Sequence, residues 1–158
     1  MNRLLLQKSQ YVLLVWLFMI LALSSCSVQY VSRYDEQTEA RINDIQRQVE
    51  TLLQNIELTI GTPEADYANF VDAYKKLRID AALLNTRAQA IDMNRITIEQ
   101  SEALIAWLQG LEQLHQEGIA STALLAVPRQ QAEQIFVGML KFELAKKRQF
   151  DSAIINEE

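Results

Sequence analysis

Apolar residues recur at alternating spacings of three and four along most of this chain, and that spacing constrains its fold more than any other feature. Tyr67, Phe70, Tyr74, Leu77, Ala81, Leu84, Ala88 and Ile91 form the cleanest series. On a helix these positions share one face, whereas on a strand they scatter across both. The series predicts an amphipathic helix, and its shift to small Ala81 and Ala88 suits close helix packing.

Three further series predict three further helices. Ile42, Ile45, Val49, Leu52 and Ile56, widened by Leu53 and Ile60, place a helix over residues 34–60. Asp35, Glu36 and Glu39 favour its positive end, and Gly61 ends it. Thr62, Pro63 and Glu64 supply a cap, a first-turn proline and an acid, so the second helix is expected to begin at once and pair with the first as a hairpin. After a polar connector at 92–95, Thr97-Ile98-Glu99-Gln100 has the form of a capping box. The third helix then turns Leu104, Leu108, Leu111 and His115 inward, with Trp107 beside them, and Gly118 closes it. The fourth begins at Ser121 or at Pro128, with Ala132, Ile135, Met139 and Phe142 inward. Short connections between such helices predict an all-α, antiparallel up-and-down four-helix bundle over residues 34–150, followed by a fraying tail at 151–158.

Composition narrows the function classes. The 158 residues suit one domain. A single cysteine excludes an intramolecular disulfide framework and a thiolate zinc cage. A net charge of -5 argues against nucleic acid as a partner.

The first 26 residues read as an address rather than as part of the fold. Arg3 and Lys8 precede the unbroken apolar run 11–23, which as a helix reaches only about 20 Å, short of the roughly 30 Å hydrocarbon core. A secretory signal at 1–25 fits better than a membrane span. The run ends in Leu23-Ser24-Ser25-Cys26, which resembles the lipobox of bacterial lipoproteins. The resemblance implies cleavage before Cys26, a diacylglycerol on its thiol and an acyl chain on its new amino group; no other cofactor is expected. Two or more acyl chains hold a protein firmly at a membrane. Residues 26–33 would be a lipidated tether. The implied location is extracytoplasmic and, in a Gram-negative cell, the inner leaflet of the outer membrane facing the periplasm, since Ser27 rather than an aspartate follows Cys26.

Catalytic signals are weak. Glu112-Gln113-Leu114-His115 has the Glu-x-x-His spacing of carboxylate-bridged di-iron bundles, but that site needs a second such pair, and the chain has one histidine. No serine sits in a Gly-x-Ser-x-Gly elbow and no glycine-rich phosphate loop exists. The expectation is a non-catalytic, metal-free adaptor, assembly or accessory protein that meets another envelope protein. The alternative is a periplasmic bundle that binds an apolar small ligand beside Tyr67, Phe70 and Tyr74. Two surface features follow. Ile119, Leu124, Leu125 and Val127, in a connector without charge, are candidate partner-binding residues. Lys146, Lys147 and Arg148 are candidate contacts to anionic headgroups, near the acidic start of the first helix.

Overall fold

The computed structural model describes residues 31–155, and these are helical with no strand among them. The signal, the lipobox, Cys26 and the tether through Tyr30 lie outside the described residues, as do residues 156–158 of the expected tail at 151–158, whose first five residues continue the last helix. Among the described residues the α-helices are α1 (Glu36–Thr59), α2 (Val71–Gln89), α3 (Arg95–Glu117) and α4 (Ala123–Ile155). Consecutive helices pack on one another, and α4 returns against α1. Among the described residues no helix is long and apolar enough to cross a membrane.

α1 forms where its sequence supplies both a cap and a stripe. Asp35 is extended, and its carboxylate accepts from the Thr38 backbone N–H at 3.0 Å, satisfying one of the free donors of the first turn. Ile42, Ile45, Val49, Leu52, Leu53 and Ile56 are all buried, as their spacing predicts. Past the helix, Gly61 turns the chain at φ 85°, a conformation costly for any residue with a Cβ.

The second helix starts later than expected. Thr62 and Pro63 open a 3₁₀ turn at Pro63–Ala65, and a second follows at Tyr67–Asn69. Asp66 accepts from the Ala68 N–H at 2.8 Å, and Asn69 Nδ2 donates to the carbonyls of Pro63 and Glu64 at 3.3 and 3.2 Å. These short polar side chains compete for the backbone and delay the α-helix to Val71. From there the predicted stripe is buried from Tyr74 through Ala88, with Phe70 just ahead of it.

α3 also departs from its expected start. Thr97 is not a capping residue: the helix begins at Arg95 after Asn94, and Thr97 is buried in its first turn. Trp107, Leu104, Leu108, Leu111 and His115 are buried as expected. α4 begins at Ala123, between the two expected starts, with Pro128 inside it. Pro128 lies past the first turn and so leaves one carbonyl without its helical partner. Its own carbonyl accepts from Trp107 Nε1 at 3.1 Å, joining α4 to α3. The inward face of α4 is rotated from the expected one: Ala132, Phe136 and Met139 are buried, whereas Ile135 and Phe142 are only partly so.

Polar pairs fix the helices against each other. Gln48 Nε2 donates to Asp80 at 2.9 Å between α1 and α2, and Asn85 Nδ2 to Ser101 at 2.8 Å between α2 and α3. Arg129 of α4 reaches Glu50 and Glu57 of α1 at 3.0 and 2.9 Å. Arg87 at the end of α2 forks onto Asp35, with Nε–Oδ2 2.6 Å and Nη2–Oδ1 2.7 Å.

That last pair makes stability pH-dependent. The Arg87 hydrogen bond outweighs burial and holds the Asp35 carboxyl down at about 2. A depressed carboxyl stabilises the fold above its unfolded value near 4, and the contribution is lost as pH falls toward 2. The pair and cap together contribute about 2 kcal/mol by this linkage. Asp35→Asn is therefore expected to lower stability by about 1–2 kcal/mol at pH 7 and to flatten the acid limb of a urea-denaturation series run from pH 6 to pH 2. An unchanged acid limb would show that the carboxylate does not carry this dependence.

Candidate functional site

Among the described residues, two buried polar clusters, one near each end of α3, and an apolar groove between α3 and α4 are features a function could use. The first cluster surrounds His115. The first 3₁₀ turn carries the Ala65 carbonyl to 2.9 Å from His115 Nε2. A carbonyl only accepts, so Nε2 bears a proton, and in the neutral ring Nδ1 accepts from the Tyr74 hydroxyl at 3.1 Å. Burial, reinforced by the nearby Glu112 charge, pushes the Tyr74 hydroxyl above its ordinary range and keeps it a donor. Phe70, Tyr67 and Tyr74 pack around the imidazole with ring centroids 4.9, 5.9 and 5.7 Å away.

Glu112, one turn before His115, faces a different pair of partners. Tyr67 donates to it at 2.6 Å, and the Arg78 guanidinium grips both of its oxygens. Burial pushes this carboxyl up, but Arg78 and Tyr67 together hold it below the usual carboxylate range. The Glu-x-x-His pair is therefore engaged: both imidazole nitrogens and the carboxylate have protein partners. Among the described residues no three His, Cys, Asp or Glu side chains gather where they could hold a metal ion. Tyr67, Phe70 and Tyr74 close on His115 and on each other, and the hydroxyls of both tyrosines are spent on this cluster.

The second cluster lies where α3 begins. Lys146 is only 4% exposed, and Glu143 is completely buried one turn before it. Lys146 Nζ donates to Glu143 Oε1 at 2.8 Å, to Thr97 Oγ1 at 2.9 Å and to Asn94 Oδ1 at 2.8 Å, using all three of its hydrogens. Its ammonium also sits 4.6 Å from the centre of the Phe142 ring. Thr97 in turn donates to Glu143 at 3.0 Å. Asn94 accepts a second bond from Ser32 Oγ at 2.8 Å and donates to the Ala88 carbonyl at 3.1 Å. The Ser32 N–H donates to the Met93 carbonyl at 3.1 Å, so the chain ahead of α1 is tied to the α2–α3 connector.

This cluster corrects the expectation for the basic run. Lys146 is not available to a membrane surface, because the inward face of α4 continues through it. Lys147 is half exposed and pairs with Glu39 at 3.9 Å, with its ammonium 5.1 Å from the Tyr34 ring centre. Arg148 is exposed. Of the run, Lys147 is the residue that reaches the acidic start of α1, through Glu39.

The candidate partner residues divide in the same way. Ile119 and Leu125 are buried in the core, 8% and 2% exposed, and so cannot offer a docking surface. Leu124 and Val127 are 44% and 61% exposed. They border a groove between α3 and α4 whose other walls include Ala106, Gly110, Leu114 and Gln131. Nothing lies within 4 Å of where a Cβ would sit on Gly110.

Compared with family models, curated proteins and solved structures, the chain has no match in any of the three.

The buried ion pair makes a sharp stability prediction. Removing one charge strands the other in the core, at a cost of about 3–5 kcal/mol, whereas removing both is far milder. Lys146→Met is expected to destabilise by that amount in urea titration, and Lys146→Met with Glu143→Leu to recover most of the loss. Additive losses in the double variant would mean the two groups do not compensate each other.

Proposed function

We propose that this chain is a lipid-anchored, extracytoplasmic envelope protein that works without catalysis, by holding another protein in the groove between α3 and α4. On this reading its four helices form an antiparallel up-and-down bundle, held to the membrane by acyl chains on Cys26 at the end of the Leu23-Ser24-Ser25 motif. In a Gram-negative cell the domain would face the periplasm from the outer membrane.

The observation that carries the docking role is the groove itself. Leu124 and Val127 leave apolar surface in water beside a groove walled by Ala106, Gly110 and Leu114. Gly110 is a glycine inside an exposed helix face, which costs α3 about 0.5–1 kcal/mol relative to alanine. It buys no turn and meets no close neighbour, and its effect is to deepen the groove. An apolar helix or extended segment from a partner fits such a surface, with side chains lodging over the glycine. The end-to-end contacts support the bundle topology: the start of α1 meets the ends of α2 and α4, through Asp35–Arg87 and Glu39–Lys147.

Site-specific photo-crosslinkers at Leu124 and Val127, in cells expressing the full chain, are expected to capture the same envelope protein, while one at Ile79 on α2 captures none. Gly110→Leu, which fills the groove, should abolish that capture while melting temperature stays at or above wild type. Equal capture from all three positions, or undiminished capture by Gly110→Leu, would overturn the docking role. The anchor is tested separately by mass spectrometry: the mature N-terminal peptide should begin at a triacylated Cys26, and a peptide retaining Met1 would exclude it.

A further inference from the structure

The end of the domain where its chain enters carries exposed apolar side chains that neither the core nor the proposed partner groove uses. Met93 is 62% exposed and Ile96 38% exposed, at the α2–α3 connector and the first turn of α3. Met93 stands at φ 57°, a left-handed conformation uncommon for a residue with a side chain. Asparagine, aspartate or glycine suit such a position in water, and each would leave it polar or bare. Here a flexible thioether is held outward instead. The connector is fixed from beneath: the Met93 carbonyl accepts from Ser32 N–H, and Asn94 is anchored to Ser32, Ala88 and Lys146. Its outward posture is therefore set by the fold.

We infer that Met93 and Ile96 form a bilayer-seating surface, inserting at the headgroup–acyl boundary when the domain stands on its anchor. This rests on the anchored reading above. The occupant follows from chain length. From Cys26 to Ser32 the backbone spans at most about 20 Å at full extension. Ser32 is hydrogen-bonded directly to the connector that carries Met93, so an acylated Cys26 keeps this face within that distance of the lipid. The charges around the two side chains are of both signs. Asp92, Arg95 and Glu99, within three residues of Met93 or Ile96, are exposed, as is Arg33 next to Ser32. The contact is accordingly apolar insertion between mixed charges, suited to zwitterionic as well as anionic headgroups. Methionine, unbranched and polarizable, fits an irregular acyl surface.

The test places an environment-sensitive NBD label on cysteine at Met93 or, as a control, at Val127. Each Met93→Cys or Val127→Cys variant is made in the full, membrane-purified chain, whose own Cys26 thiol is occupied by lipid. The labelled proteins are reconstituted in phosphatidylcholine vesicles with and without lipid doxyl-labelled near the headgroup. Position 93 is expected to lose at least half of its emission to the doxyl lipid, and position 127 to lose none. Loss at both positions, or at neither, overturns the seating surface. A 93–93 disulfide dimer formed on oxidation of the unlabelled Met93→Cys protein, with no doxyl quenching in the labelled one, would assign the face to a second copy and also overturn it. The N-terminal mass spectrum of the same sample separates the two readings. A triacylated Cys26 with an unquenched position 93 sinks only the seating surface, whereas an unmodified Cys26 removes its premise as well.

Discussion

A lysine ammonium almost sealed from water is the constraint that the entry end of this domain is built around. Taking Lys146 and Glu143 out of solvent costs several kcal/mol per ion, and their attraction offsets this only when every hydrogen finds an acceptor. Nζ finds three: one on its own helix and two, Thr97 and Asn94, at the start of α3. Such a pair adds little stability beyond what well-packed apolar residues would give. What it adds is discrimination. If α4 slid by one turn against α3, the two charges would keep each other but lose Thr97 and Asn94 in a dry interior, a penalty that a leucine in the same place would not impose. The geometry is thus suited to fixing the register of α4, much as a single buried polar residue fixes register in a coiled coil.

Asn94 extends that register to the start of the chain. One amide oxygen serves both Lys146 and Ser32, and its nitrogen reaches back to α2. Four parts of the chain therefore meet at one side chain. The Asp35–Arg87 fork sits in the same region and joins the start of α1 to the end of α2. The opposite end is held differently. There the two 3₁₀ turns fold over His115, and ring packing and a few hydrogen bonds join a partly exposed Arg78–Glu112 pair.

The helices were legible in the sequence because periodicity is a property of the buried face alone. The α1 series from Ile42 to Ile56, and the α2 series from Tyr74 to Ala88, are buried where the spacing put them, with Ile60 only partly so. The misreadings share one physical cause. On α4 the spacing from Met139 can continue by three to Phe142 or by four to Glu143, and hydrophobicity favours Phe142. The protein takes Glu143, and the series Ala132, Phe136, Met139, Glu143 and Lys146 then keeps its alternation of four and three without a break. The pattern was present, but its last two members were charged, and their partners Thr97 and Asn94 lie some fifty positions away in the chain. Thr97 was mistaken for a cap for the same reason: a threonine near a helix start is polar whether it faces the backbone or a buried lysine. Glycine and proline placement likewise located the breaks at 61 and 118 but not the delay to Val71, which comes from Asp66 and Asn69 competing for the backbone.

Function was less legible because it depends on what remains outside the core. Among Ile119, Leu124, Leu125 and Val127, composition alone could not divide core from surface. Helix α4 makes the division by starting at Ala123, which turns Leu125 inward and leaves Leu124 and Val127 beside Gly110. The same helix carries Lys146 at its other end, where Asn94 and Ser32 hold it. The groove and the entry cluster are therefore separated along α3 by the stretch from Thr97 to Gly110, 13 residues and about 20 Å at 1.5 Å per residue. On the proposed anchoring, that separation defines the device. α3 and α4 would then carry the apolar groove about that distance from the entry end, and the cluster that fixes the register of α4 against α3 also fixes where the groove lies.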